Sequence, residues 1–332
     1  MSTEEAVAAH YSRGNILERL LDVVKKSGGN PAHFAPADLQ NADQLHIGGA
    51  ASTTRVATRA GVNAGSHVID LGSGLGGVSR HVAHDFGATV QGVDLTPEFV
   101  EAARSITECT GLSDHVTFSQ GSILALPFDD DSFDVALMFH VGMNIQDKDK
   151  VFVEAARVLR PGGIFAVYDI MLLGGDTEQY PLPWAVTPDT SFVQPPLAYT
   201  DALAQAGFAV DHEAKPLAEG VEFLERALSS GGPVGVEAGA MSNLLTAFTS
   251  GILAPVEIYA HLPEISPGPL WVRRHVNQPL RTRFAARLVS LPAADSRNCA
   301  DICDRYPSGQ AAAELQAVGA QPRFWHALTQ LP

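Results

Sequence analysis

The chain of 332 residues is long enough for one large domain or a domain with an appendage, and its 45% hydrophobic content supplies a full core. Its formal charge of -15 argues against a general nucleic-acid binder, and its three cysteines make no disulfide framework. No apolar run approaches the roughly 18 residues of a membrane span, and the acidic start MSTEEAVAAHYSRG lacks the apolar stretch of a secretory leader, so a cytoplasmic protein is expected.

Residues 14–26 place Ile16, Leu17, Leu20, Leu21 and Val24 at helical spacing, which predicts a short amphipathic helix. A polar connector follows, ending in DQLHIGG (43–49), and a helical stretch then runs to about Ala60. From residue 67 strands alternate with helices. His67 to Leu71 is a buried strand leading into the glycine loop Gly72–Gly77, and Val78, Val82 and Phe86 set out the helix that leaves it. Thr89 to Leu95 is a second strand. Thr96-Pro97-Glu98 opens the next helix, with proline at the first position and an acid in the first turn. Val116 to Ser119 and Phe133 to Phe139 are the third and fourth strands, and Asp129–Asp131 is a solvated turn before the latter. Val151, Ala155, Val158 and Leu159 mark a helix that Arg160-Pro161-Gly162-Gly163 stops, and Ile164 to Tyr168 is a fifth strand. After an aromatic, proline-rich excursion over 171–200 come a helix from about Tyr199 to Ala206, a strand Phe208 to His212, and a closing strand within Gly251 to Ala260.

Strands alternating with helices imply βαβ units and a doubly wound α/β sheet. Such sheets bind ligand at the carboxyl ends of their strands, near the switch point. Gly72–Gly76, Asp94, Ser122 and Phe139-His140 all fall at such ends. Past His261 the texture changes. Residues 262–332 hold eight arginines, no lysine, eight prolines and five acids, with no sustained period, so they read as an atypical extension. Cys299, Cys303 and His326 fall short of a zinc ligand set, and no metal is expected.

The loop VIDLGSGLGG (68–77) carries G-x-G-x-x-G at Gly72, Gly74 and Gly77, the spacing of a dinucleotide fingerprint. A pyrophosphate on that loop would meet the helix N-terminus, where orphan N–H groups and the dipole attract negative charge. Asp70, two residues before the first glycine, would repel it. The same carboxylate is favourable beside an amino-acid ammonium. Asp94 suits either ligand, because both carry a ribose diol. The balance favours S-adenosylmethionine over a nicotinamide dinucleotide, with Gly77 left to allow close helix–strand packing.

Asp70-x-Gly72-x-Gly74-x-Gly76 resembles the first motif of the class I S-adenosylmethionine-dependent methyltransferases. So do GVDLTP (92–97), LPFDDDSFDVA (126–136) and ARVLRPGG (156–163), over roughly residues 40–260. HIGGAAST, VDLTPEFVEAAR and HVGMNIQDK resemble, more narrowly, small-molecule enzymes near the sarcosine/dimethylglycine N-methyltransferases and ubiquinone-type C-methyltransferases. The resemblance implies that Gly72, Ser73, Gly74 and Gly76 line the donor's methionine and ribose, that Asp70 faces its ammonium, and that Asp94 holds the ribose hydroxyls. It also sets Leu95 and Ile123 against the adenine, with Ser122 at the edge where many relatives carry an aspartate. Phe139 and His140 then lie where donor and acceptor meet.

Methyl transfer from a sulfonium needs mainly positioning and removal of water. His140 is either a general base for a protonated acceptor or a contact to cofactor and backbone. His46 either approaches the methyl group or simply starts a helix beside the Gly-Gly turn. Tyr11 belongs to an N-terminal cover; Met143, Tyr180, Trp184 and Phe192 are the acceptor-pocket candidates, with a buried hydrophobic flap as the other reading of the aromatics. Arg80 is expected to pair at the surface.

These observations define a helical cover (1–60), a Rossmann-like methyltransferase domain (61–261) and an Arg/Pro-rich extension (262–332). The expected activity is S-adenosylmethionine-dependent methylation of a small molecule, first a small amine and alternatively carbon or oxygen of a quinone-like or natural-product ring. An NAD-dependent oxidoreductase and a non-catalytic cofactor-binding protein are the rivals. Oligomeric state stays open.

Overall fold

The glycine loop and its flanking strands form the centre of a seven-stranded sheet. The structure is a computed structural model that describes residues 2–12, 14–39, 42–175, 179–229 and 238–264. Helices α1 (Thr3–Tyr11), α2 (Ile16–Lys26) and α3 (Gly49–Arg59) precede strand β1 (His67–Leu71). Then follow α4 (Gly77–Phe86), β2 (Thr89–Asp94), α5 (Pro97–Cys109), β3 (Val116–Gln120), β4 (Phe133–Phe139), α6 (Lys148–Val158) and β5 (Leu159–Leu172). Helix α7 (Pro196–Gln205), β6 (Ala209–Ala214), α8 (Leu217–Ser229), α9 (Ala238–Thr249) and β7 (Leu253–His261) complete the described order.

The strands lie in the order β3-β2-β1-β4-β5-β7-β6. The first five are parallel, and β7 runs antiparallel to both its neighbours. The usual dinucleotide-binding order is 3-2-1-4-5-6, all parallel. Here a reversed strand stands between the fifth and sixth, so this sheet departs from that plan at one edge.

Successive residues of a strand face opposite sides, and both faces of this sheet are covered. Val68, Val135, Leu137 and Phe139 enter one core with α3, α4, α8 and α9, while Ile69, Leu71, Ala136 and Met138 enter a second with α6 and α7. That double burial explains why the strands are near-continuous apolar runs rather than alternating ones. Asp70 interrupts the run, fully buried beside Val68. A third, smaller core joins Leu20 and Val24 of α2 to Phe99 and Ile106 of α5 and to Leu75 of the glycine loop, anchoring the N-terminal segment to the site.

The strand and helix expectations hold closely for β1 and β4, which have the anticipated bounds. Three differ. β5 extends to Leu172 because β7 pairs with it over nine residues, from Ile164↔His261 to Leu172↔Leu253. β6 is Ala209–Ala214 rather than 208–212, and α7 begins at Pro196, a proline suited to the first helical turn. Cys299, Cys303 and His326, with most of the Arg/Pro-rich extension, lie outside the described residues. Among the described residues, no helix is long and apolar enough to cross a membrane.

Candidate cofactor cleft

The loop leaves β1 through three residues that side chains would strain. Gly72, Gly74 and Gly76 have φ of 76°, 51° and 76°, in the left-handed region that glycine tolerates. A Cβ on Gly72 would also sit 2.4 Å from Val141 Cγ2, in the segment following β4. The amides of Gly72 and Ser73 donate to Val93 O at 2.8 and 3.0 Å, tying the loop to the end of β2. Asp94 completes the join: its carboxylate accepts from Gly74 N and Thr96 N, both at 2.8 Å. A carboxylate has about four acceptor sites, so two remain for a ligand's hydroxyls.

Asp70 is 1% exposed, and its Oδ2 accepts the Ser79 hydroxyl at 2.6 Å. Burial, and then the nearby charge of Asp94, push its pKa up to about 7. Burial also pushes Asp94 up. Ser73 Oγ is enclosed with no protein partner. Asp43, His46, Asp70, Ser73, Leu75 and Phe139 are among the lining of one cleft. None of its lining residues is a lysine or arginine. Two buried carboxylates, neither bonded to a lysine or arginine among the described residues, favour positive charge and disfavour a pyrophosphate.

The far wall is aromatic. The His46 ring lies 4.8 Å from Phe139 and 6.0 Å from His140, and His140 lies 5.0 Å from Tyr168. His140 has φ 52°, rare for a residue with a side chain, and its amide donates to Tyr168 O at 2.7 Å. Its Nε2 is enclosed without a partner. Burial holds His140 well below the usual histidine range, and it lowers His46 to about 4. Both imidazoles are therefore neutral near pH 7. His46 Nε2 is engaged by Gln44 Oε1 at 2.9 Å and Thr53 Oγ1 at 3.1 Å, while Nδ1 lies 3.2 Å from Ile47 O, so its ring is held rigidly.

Two N-terminal segments are tied to the rest of the domain by side-chain bonds. The first is 42–48, fastened by Arg80. The Arg80 guanidinium is buried, not at the surface as its place in the first turn of α4 suggested. It donates to Asp43 Oδ2 at 2.7 Å, Leu75 O at 2.6 Å, Ala103 O at 3.2 Å and Thr107 Oγ1 at 3.1 Å. It lies inside because Asp43 supplies a buried counter-charge and two carbonyls and a hydroxyl accept from the two terminal nitrogens. Gly77 serves the same segment: a Cβ there would come 2.4 Å from Asp43 O, so its smallness admits a loop rather than a strand. The second segment is α1, whose Glu4 carboxylate accepts from the Ser122 hydroxyl. Tyr11 pairs with Asn144, His10 Nε2 lies 3.1 Å from Pro183 O, and Glu98 receives Gly14 N and Ile16 N.

The structure thus gathers Asp70, Gly72, Ser73, Gly74, Phe139 and His46 around one cleft, with Asp94 bound to its loop and His140 beside His46. Gly76 caps α4. Leu95 is half-buried and Ile123 buried, on the segments that follow β2 and β3. Met143 is buried and its carbonyl accepts Phe192 N at 2.7 Å. Trp184 is 2% exposed, packs in the core with Leu182 and Ala185, and donates its indole N–H to Ser191 Oγ at 3.0 Å. It presents no open face to an acceptor, because so large an apolar surface is better removed from water. Tyr180 packs half-buried against the same core, and Phe192 is half-buried. Glu4, Asp43 and Asn144 were not foreseen. Their partners lie 118, 37 and 133 positions away; Asp43 stands beside the HIGG stretch and Asn144 within HVGMNIQDK, but neither motif announces the partner.

Comparison with known proteins agrees with this geometry. Residues 62–201 match the family described as "Methyltransferase domain". Methyltransferase GfsG of Streptomyces halstedii is 37% identical over 137 residues, 41% of this chain and 49% of that protein. Sterol 4-C-methyltransferase strm-1 of Caenorhabditis elegans is 32% identical over 165 residues, 50% of this chain and 47% of that protein. A geranyl diphosphate methyltransferase solved with its diphosphate and sinefungin shares the fold, with a TM-score of 0.62 and 19% identity over 78% of this chain and 99% of that one. Residues 62–201 are therefore similar to a methyltransferase domain, and the sheet shares the fold of solved methyltransferases. The chain spans about half the length of the curated relatives it matches.

Proposed function

We propose that the chain transfers a methyl group from S-adenosylmethionine to a small molecule, and that the acceptor atom is an electron-rich carbon of a largely apolar compound. The observation that carries the donor assignment is the buried carboxylate of Asp70 in the cleft lining, with the buried carboxylate of Asp94 bonded to the same glycine loop and no lysine or arginine among the described lining residues. Asp70 and Ser73 would hold the donor's ammonium and carboxylate end, Asp94 its ribose hydroxyls, and Leu95 and Ile123 its base. When bound, the cofactor supplies a methyl group on a sulfonium, already a good leaving group. The chain's part is to orient the acceptor and exclude water, which is where most of the rate effect of such a transfer arises. His46, Phe139, His140 and Tyr168 offer ring faces and uncharged nitrogens there, a surface that tolerates developing positive charge.

The same wall favours one class of acceptor. A small amine arrives as an ammonium and needs a counter-charge or a competent base. His140, held well below its usual range by burial, is a poor base for an ammonium or a phenol. A methylated alkene or ring carbon bears a far more acidic proton, which a weakly basic imidazole can accept. The sterol 4-C-methyltransferase relative is consistent with this reading. Labelled donor with isoprenoid, sterol and phenolic acceptors, set against sarcosine and dimethylglycine, tests it, with the new bond located by carbon NMR. Carbon-methylated product is expected. Turnover on the amines alone overturns the carbon assignment, and tight donor binding without transfer to any acceptor would support a non-catalytic role.

A further inference from the structure

The end of β3 holds a polar pair whose two members lie 118 positions apart in sequence. Ser122 lies two residues beyond β3, next to Gly121, whose amide donates to Asp94 O at 2.9 Å. That bond ties the segment to the backbone of Asp94, whose carboxylate is assigned to the ribose, and the base of a nucleoside would continue from there towards Leu95 and Ile123. Glu4, in the first turn of α1, receives the Ser122 hydroxyl proton on Oε1. Ser122 Oγ in turn accepts from Leu124 N at 3.1 Å.

Counting protons gives the pair its chemistry. A serine hydroxyl has one proton and a carboxylate has none. With that proton committed to Glu4, everything the pair can offer a ligand is an acceptor. An acceptor-only edge matches an amino group, which brings two N–H donors, and opposes a carbonyl oxygen. Adenine presents an amino group at its sixth position; hypoxanthine presents an oxygen there. We infer that Glu4 reads the adenine amino group, so that a helix outside the sheet sets the nucleobase selectivity of the cofactor site. This assignment rests on the S-adenosylmethionine reading above and extends it to a residue of the N-terminal helix. It also gives Ser122 a defined part: it orients the Glu4 carboxylate.

The test is calorimetric titration of the full chain with S-adenosylhomocysteine and with its deaminated counterpart S-inosylhomocysteine, for the natural protein, Glu4→Gln and Glu4→Ala. The natural protein is expected to prefer the adenosyl ligand by about tenfold or more, the scale of a hydrogen bond to a charged group. Glu4→Gln replaces one acceptor by a donor that suits the oxo group, so the ratio falls towards one or inverts. Glu4→Ala lowers adenosyl affinity and leaves inosyl affinity nearly unchanged. Glu4 is half-buried and α1 contains no fully buried residue, so the variants keep their melting temperature. Parallel weakening of both ligands with the ratio intact would mean that Glu4 only holds the helix down, and would overturn the assignment. A natural protein that binds neither ligand overturns the donor reading beneath it.

Discussion

Asp70 is the residue on which the electrostatics of the cleft turn. Its carboxyl is raised to about 7 by burial and by Asp94, against an ordinary value of 3.8. In the free protein the folded state thus holds a proton that the unfolded chain releases. Its contribution to stability is full below about pH 4 and is lost as pH climbs through about 7. His46 acts in the opposite sense: lowered to about 4, it stabilises above 6.5 and that contribution disappears as pH falls through about 4. A bound ammonium reverses the balance at Asp70 by favouring the ionised form. Affinity for S-adenosylhomocysteine should therefore rise between pH 6 and 8, with its midpoint near Asp70's value of about 7. Asp70→Asn should flatten that dependence and weaken binding by about tenfold or more, yet raise the melting temperature of the free protein at pH 8. Titrations and melts of both proteins across that range check it; a variant that binds as well as the natural protein removes Asp70 from the site.

Elements are brought together here by contacts that local sequence does not announce. β1 and β4 were readable because a strand buried on both faces writes itself as a short apolar run, and the glycine loop because its turn residues are contiguous. β5 was underestimated because its last four residues, Asp169 to Leu172, are held by β7, which is remote in sequence. Trp184 looked like a pocket residue only because aromatic composition does not say which face is covered. Arg80 is the sharpest case. Its position on α4 was visible, but its role depends on Asp43, 37 residues earlier, and on Ala103 and Thr107 of α5. It joins α4, α5 and the 42–48 cover. Arg80→Met should destabilise the protein by about 3–5 kcal/mol, because Asp43 is left buried with its charge uncompensated. Denaturant unfolding reads this, and pairing it with Asp43→Leu should recover much of the loss. A change below about 1 kcal/mol, the usual worth of an exposed pair, would show that the contact is a surface one.

In the molecule as a whole, fold and charge favour the same class of ligand. The glycine spacing alone admits a dinucleotide site. The reversed strand β7 separates this sheet from the all-parallel dinucleotide plan, and the two buried carboxylates make the cleft hostile to a pyrophosphate. Calorimetric titration of the full chain with S-adenosylhomocysteine and, separately, with NADH sets these alternatives against each other, at a pH above Asp70's value of about 7. The structure predicts saturable, one-to-one binding of S-adenosylhomocysteine, abolished by Asp94→Ala, and no heat from NADH. Saturable binding of NADH, with none of S-adenosylhomocysteine, would contradict it.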